Sequence, residues 1–243
     1  MAPAVRLRSA IALFGRFPAL AGVDLDVEPG EVVLLEGPNG AGKTSVLRVC
    51  AGLLTLTSGE AEVLGHDLRQ DRRSVRRQLG MVGHATFLYD DLTVAENVRF
   101  AVRAAGGDGR RVAVGLERLG LDGPLQRHAV GRLSAGQRRR VALAVLVARS
   151  PLLWLLDEPH AGLDAASRDV VDETVAEAVR DGATVLMASH ERDRAEPLAS
   201  RVVTMGGGRV LPERGPAKEQ SAKREQTAAE EQGAGERRPV HVA

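Results

Sequence analysis

Cysteine is almost missing from this chain of 243 residues, and the single Cys50 excludes both an intrachain disulfide framework and a cysteine-rich zinc or iron-sulfur site. A reducing, cytoplasmic compartment is the expectation. Aromatic residues make up 2% of the chain, which removes the stacking surface that a single-strand nucleic-acid binder uses. Charge of one sign is also lacking: 33 Lys and Arg against 32 Asp and Glu leave a formal charge of +1 and no overall field toward nucleic acid or an anionic membrane. No long hydrophobic run occurs. The longest, residues 141–148, ends at Arg149 and is far short of the roughly 20 residues that span hydrocarbon. Near the N-terminus Arg16 interrupts the apolar run 11–14, so the sequence reads as mature protein rather than as a signal peptide.

What remains is one core. Hydrophobic residues at 44% suffice for a single substantial domain and are few for two. Short apolar runs alternate with helical periodicity up to residue 211, the pattern of an α/β domain with a largely parallel sheet. Strands are expected at 32–36, 77–82, 152–156 and 183–188, each running into a loop rich in glycine or in titratable residues. Between the second and third lies a helical stretch, residues 90–150, with capping boxes at Thr93/Glu96 and Ser134/Gln137. It reads as an inserted helical subdomain. From residue 212 to 243 the composition turns to Glu, Gln, Lys, Arg, Ala and Gly, too polar to offset its ordering entropy, and a disordered tail is expected.

Gly37-Pro38-Asn39-Gly40-Ala41-Gly42-Lys43-Thr44 fits the phosphate-loop pattern between an expected strand and an expected helix. Glycines let backbone amides turn toward an anion, the helix offers its positive end, Lys43 reaches terminal phosphates, and the Thr44 hydroxyl is suited to Mg²⁺. Only three lysines occur, and the other two, Lys218 and Lys223, lie in the tail. Arginine serves elsewhere, so Lys43 has a task for a compact point charge. Asp157 and Glu158 close an apolar strand; in a nucleotide site the first would hold Mg²⁺ and the second would act on water as general base. His190 follows another strand and could contact a γ-phosphate.

Leu133-Ser134-Ala135-Gly136-Gln137, 89 residues beyond Thr44, resembles the signature motif of ABC-type ATPases. The resemblance covers residues 1 to about 211. It implies a P-loop NTPase of ABC-ATPase type: a largely parallel sheet core with an antiparallel β subdomain and an inserted helical subdomain, ATP and Mg²⁺ as ligands, and Ser45 beside Thr44 in the nucleotide site. By the same resemblance Phe14 stacks on adenine, Asp164 belongs to the D-loop, His190 is the switch histidine, and the signature contacts ATP held by a paired domain or second copy. Two departures mark a subset. His84 stands at the Q-loop position, nine residues before Thr93, where glutamine is usual, and Ala135 stands where glycine is usual. With the run from Phe87 to Asn97, they resemble the haem-exporting ATPases of cytochrome c maturation; drug-exporting ATPases share much of this stretch and stay open as the alternative. A separate transmembrane permease, peripheral attachment at the cytoplasmic face of the inner membrane, and no nucleic-acid partner are implied. Chromosome-maintenance relatives carry a long coiled coil between phosphate loop and signature, for which 89 residues leave no room.

The basic run Arg69, Arg72, Arg73, Arg76 and Arg77 reads as a solvated helix face offset by Asp67 and Asp71, and the remaining histidines show no ligand spacing. Ending the chain after Leu211 should leave the thermal midpoint and the ATPase rate essentially unchanged. Differential scanning calorimetry on the shortened chain checks it, and a large drop in midpoint would show that the tail docks.

Overall fold

Valine, leucine and alanine dominate the alternating positions that build two sheets in the computed structural model, which describes residues 2–212. Apart from Pro212, the expected tail lies outside the described residues. A hairpin of β1 (Val5–Phe14) and β2 (Phe17–Val27) opens the chain; β3 (Val32–Glu36) leads to helix α1 (Lys43–Cys50). Strands β4 (Ser58–Val63) and β5 (His66–Asp67) complete an antiparallel sheet in the order β2-β1-β4-β5.

Helix α2 (Arg72–Gln78) precedes β6 (Leu79–Val82), and helices α3 (Val94–Ala104), α4 (Arg111–Arg118) and α5 (Ala135–Arg149) follow. Next come β7 (Leu153–Asp157), α6 (Ala165–Arg180), β8 (Thr184–Ala188), α7 (Arg192–Ala195), β9 (Arg201–Gly206) and β10 (Arg209–Val210). The second sheet has the order β10-β9-β3-β8-β7-β6, parallel throughout except for the β9/β10 hairpin. The strand expected at 77–82 is shorter. Arg77 and Gln78 belong to α2, because Asp71 caps that helix by accepting from the Ser74 amide and Val75 fixes its buried face, so extension begins only at Leu79. Leu152, expected to open β7, is half exposed and lies outside the strand.

Both faces of the parallel sheet are buried, with period two. Val33, Leu35, Leu153, Leu155, Leu186 and Ala188 join one apolar cluster, shared with α1 and the antiparallel sheet. Val32, Leu34, Trp154, Leu156, Val185 and Met187 join the other, shared with α3 to α6. Cys50 ends α1 fully buried, and burial pushes its thiol up to about 12. Buried Asn97 satisfies its side chain completely: Nδ2 donates to the carbonyls of Tyr89, Leu92 and Thr93, and Oδ1 accepts from the Tyr89 amide at 2.8 Å. This ties the loop before α3 to the helix and sets Tyr89 edge-on to Phe100, with ring centroids 5.0 Å apart. No helix among the described residues is long and apolar enough to cross a membrane.

Helices α4 and α5 touch at Gly115, where an added Cβ would lie 2.5 Å from the Ala144 carbonyl oxygen and 2.9 Å from the Ala148 Cβ. In an open helix Gly→Ala gains about 0.5–1 kcal/mol. Here the backbone contact forces the helices apart, so Gly115→Ala should lower stability by about 1–2 kcal/mol, read as a shift in urea midpoint at unchanged m-value.

Candidate active site

The carboxyl ends of β3, β7 and β8 lie side by side, and each delivers its chain directly into polar residues. After β3, Gly37 has φ 137°, and a Cβ there would stand 2.2 Å from the Met205 carbonyl oxygen, so only glycine lets the loop turn back over the sheet. Gly42, at φ 105°, starts α1 without a side-chain cap, whereas α2, α3, α5 and α6 are each capped by a side chain. The first amides of α1 are therefore left for an anion. Lys43 is buried, and its Nζ donates to the carbonyls of Gly37 at 2.7 Å and Pro38 at 3.2 Å. The loop thus carries its own cation.

Asp157 ends β7 in the core, and its Oδ1 accepts from the Thr44 hydroxyl at 3.0 Å. These two oxygens come from different elements and form a hard donor pair of the kind Mg²⁺ takes. Gly83 packs behind Asp157; a Cβ there would lie 3.5 Å from the Asp157 Cβ. Buried Arg139, from α5, donates Nη1 to the Asp157 carbonyl at 3.3 Å. Burial holds its guanidinium below the usual arginine value, against the opposing pull of the Asp157 and Glu158 charges. In the sequence Arg139 stands with Arg138 and Arg140 at the positive end of a helix, a cluster that is unfavourable unless an anion or acidic partner lies nearby. Of the three, it is Arg139, at helical spacing with Ala142, Leu143 and Leu146, that turns inward to Asp157.

Glu158 adopts φ 52°, a left-handed backbone that costs a non-glycine residue about 1–3 kcal/mol. The conformation is held by its amide, which donates to the Ala188 carbonyl of β8 at 2.8 Å. It turns the carboxylate toward His190: Oε2 accepts from the His190 amide at 3.1 Å, and Oε1 lies 3.5 Å from the ring Nε2. Asn39 through Ser45, His84, Asp157, Glu158 and His190 line one cleft of about 470 Å³, with Ala19 at its edge.

Other expected site residues lie elsewhere. Gly37 and Pro38 face the Lys43 ammonium rather than the cleft. Phe14 ends β1 opposite Phe17, with both rings more than 70% exposed. Ser134 caps α5 through a complete capping box, with Leu133, Ala135, Gly136 and Gln137 around it and none of them lining the cleft. Gly136 packs on the turn before α6, where a Cβ would come 2.8 Å from the Gly162 carbonyl oxygen. Asp164 caps α6, and the Ser167 hydrogen bonds hold its carboxyl below the usual range.

A second concavity, about 300 Å³, opens between β6 and α3, lined by Leu53, Met81, Phe87, Tyr89 and Phe100 with Arg76 and Arg149. Of the six aromatic residues, Trp154 is buried; three of the five exposed ones stand here and two at the β1/β2 turn.

Comparison with known proteins places this geometry in context. The family model described as ABC transporter matches residues 20–161. The cytochrome c biogenesis ATP-binding export protein CcmA of Cupriavidus pinatubonensis is 38% identical over 212 residues, 86% of this chain and 92% of that protein. The sn-glycerol-3-phosphate import ATP-binding protein UgpC 1 of Rhizobium johnstonii is 37% identical over 86% of this chain but only 58% of its own length. The sulfate/thiosulfate import protein CysA 2 of Chromobacterium violaceum is 39% identical over 81% of this chain and 54% of its own. Among solved structures, a dimeric ATP-binding cassette in a post-hydrolysis state with ADP and Pi superposes with a TM-score of 0.79 at 27% identity, over 86% of this chain and 97% of that one.

Proposed function

The chain belongs to the ABC transporter family of transport ATPases, and from that membership we propose that it is the ATP-hydrolysing subunit of an exporter that moves haem for c-type cytochrome biogenesis. The observation that carries the cargo is one of pattern: the chain combines His84 nine residues before Thr93 with Ala135 after Ser134, and an export protein of cytochrome c biogenesis is among the proteins it is similar to.

In this reading the amides of the phosphate loop and of the start of α1 hold the ATP phosphates, with Lys43 neutralising charge from beneath. Phe14 lies against adenine, and Ser45 and His84 complete the rim of the nucleotide site. Thr44 and Asp157 would hold Mg²⁺, which supplies positive charge to the β- and γ-phosphates. Glu158 takes a proton from the attacking water, and His190, beside it, donates to the γ-phosphate. Leu133 to Gln137, with the Ser134 hydroxyl and the amides that open α5, contact ATP on a second copy, and Asp164 lies at that junction. A separate permease supplies the path across the membrane; the aromatic concavity receives one of its segments and holds the ATPase at the cytoplasmic face of the inner membrane.

Lys43→Ala should weaken equilibrium ATP affinity by about tenfold or more, whereas Glu158→Gln should keep ATP bound, lose turnover and run as a dimer on gel filtration with ATP. Normal turnover in Glu158→Gln would sink the assignment. For the cargo, deletion of the gene should abolish covalent haem in c-type cytochromes and spare non-covalent b-type haem, with rescue by the wild-type gene but not by Glu158→Gln. Unaffected haem staining with altered drug sensitivity would favour a drug exporter.

A further inference from the structure

His160 is the one fully buried histidine among the described residues, 1% exposed in the turn two residues after Glu158. Its Nε2 lies 2.7 Å from Asp172 Oδ1 on α6, while Nδ1 has no hydrogen-bond partner, so Asp172 is the polar anchor of the ring. The other oxygen of the same carboxylate accepts from Arg194 Nη1 at 2.9 Å. Arg194 lies on α7, four residues after His190, and the same Nη1 also meets Asp169 at 2.7 Å. Hydrogen bonds to Asp169 and Asp172 raise the Arg194 guanidinium above its usual value. The segment around His190 makes further pairs: Glu191 with Arg168 of α6 at 3.1 Å, and Arg192 with Glu36, the last residue before the phosphate loop, at 2.5 Å.

Glu158 and His190 stand at the ends of adjacent strands and are tied directly by the Glu158 amide on the Ala188 carbonyl and the His190 amide on the Glu158 carboxylate. Beyond those bonds, Asp172 touches both the turn after Glu158 and the helix after His190. We propose that Asp172 is a positioning residue for ATP hydrolysis: by pairing at once with His160 and Arg194 it holds those two flanking segments as one unit and so steadies the Glu158 and His190 side chains against each other. The proposal rests on the roles given above to those two side chains. A buried histidine whose one polar partner is a carboxylate is costly to leave alone, and the charge-assisted bond to Arg194 gives that carboxylate a fixed direction. Simple stabilisation would not require one carboxylate to join these two segments, since α6 already packs on the sheet through Val171 and Val175.

Asp172→Asn keeps the shape and removes the charge. In the purified full-length protein, kcat should fall about tenfold while ATP KM and equilibrium ATP affinity stay within about twofold. Arg194→Met should reproduce the loss, Arg194→Lys should restore most of it, and Asp172→Asn with Arg194→Met should be no worse than either alone. Gly115→Ala, destabilised far from the site, should keep its kcat and so separates positioning from stability. The inference is overturned if Asp172→Asn and Arg194→Met both turn over within about twofold of wild type, or if kcat and KM change together with the thermal midpoint. Glu158→Gln measured in parallel tells the two failures apart: an active Glu158→Gln removes the reading of the site, whereas an inactive one beside a normal Asp172→Asn removes only the role of Asp172.

Discussion

A parallel sheet buried on both faces has no room for a charged side chain along the middle of its central strands, and that exclusion governs the molecule. In β3, β7 and β8 the residues from Val32 to Leu35, Leu153 to Leu156 and Val185 to Ala188 are all closed to solvent. The first place where charge is tolerated is the carboxyl end of each strand, where one strand after another releases its chain toward the same side. Glu36, Asp157 and Ser189 occupy that edge, and the phosphate loop, Glu158 and His190 follow within one or two residues. The chemistry is gathered because the core refuses it anywhere else.

Much of this was legible in the amino-acid order. Apolar runs of four or five residues ending in Gly37, Asp157 and Ser189 located three central strands, and Thr93 and Ser134 located two helix starts to the residue, because a capping box is a local hydrogen-bond pattern. The β6 boundary was not legible. Arg77 and Gln78 have no apolar periodicity of their own, and what makes them helical is the remote decision of Asp71 and Val75. Asp172 was hidden: it looks in sequence like one more charge on a helix, and only the crossing of α6 over the sheet gives it a partner in the turn after β7. For Arg139 the run of three arginines called for an acidic neighbour, but which of the three would meet the end of β7 was not legible before α5 crossed the sheet.

The electrostatics divide between two cations of different character. Lys43 is a single point held by two carbonyls of its own loop, free to exchange those bonds for phosphate oxygens without leaving its place. Arginines do the long-range tying: Arg139 joins the helical insertion to the Asp157 carbonyl, Arg194 joins α7 to α6, and Arg149 reaches the carbonyls of Arg76 and Leu79 from the far end of α5. A planar fork with several donors bridges elements, and a flexible ammonium serves a ligand.

Cys50 carries a practical consequence. It is the chain's one thiol, it is sealed beneath the antiparallel sheet, and burial keeps it protonated far above neutral pH. The native protein is therefore silent to maleimides and other thiol-directed probes while folded. A cysteine introduced at an exposed position becomes the single reactive handle on the molecule, so spin labels, fluorophores or cross-linkers can be placed one at a time without first removing anything evolution put there.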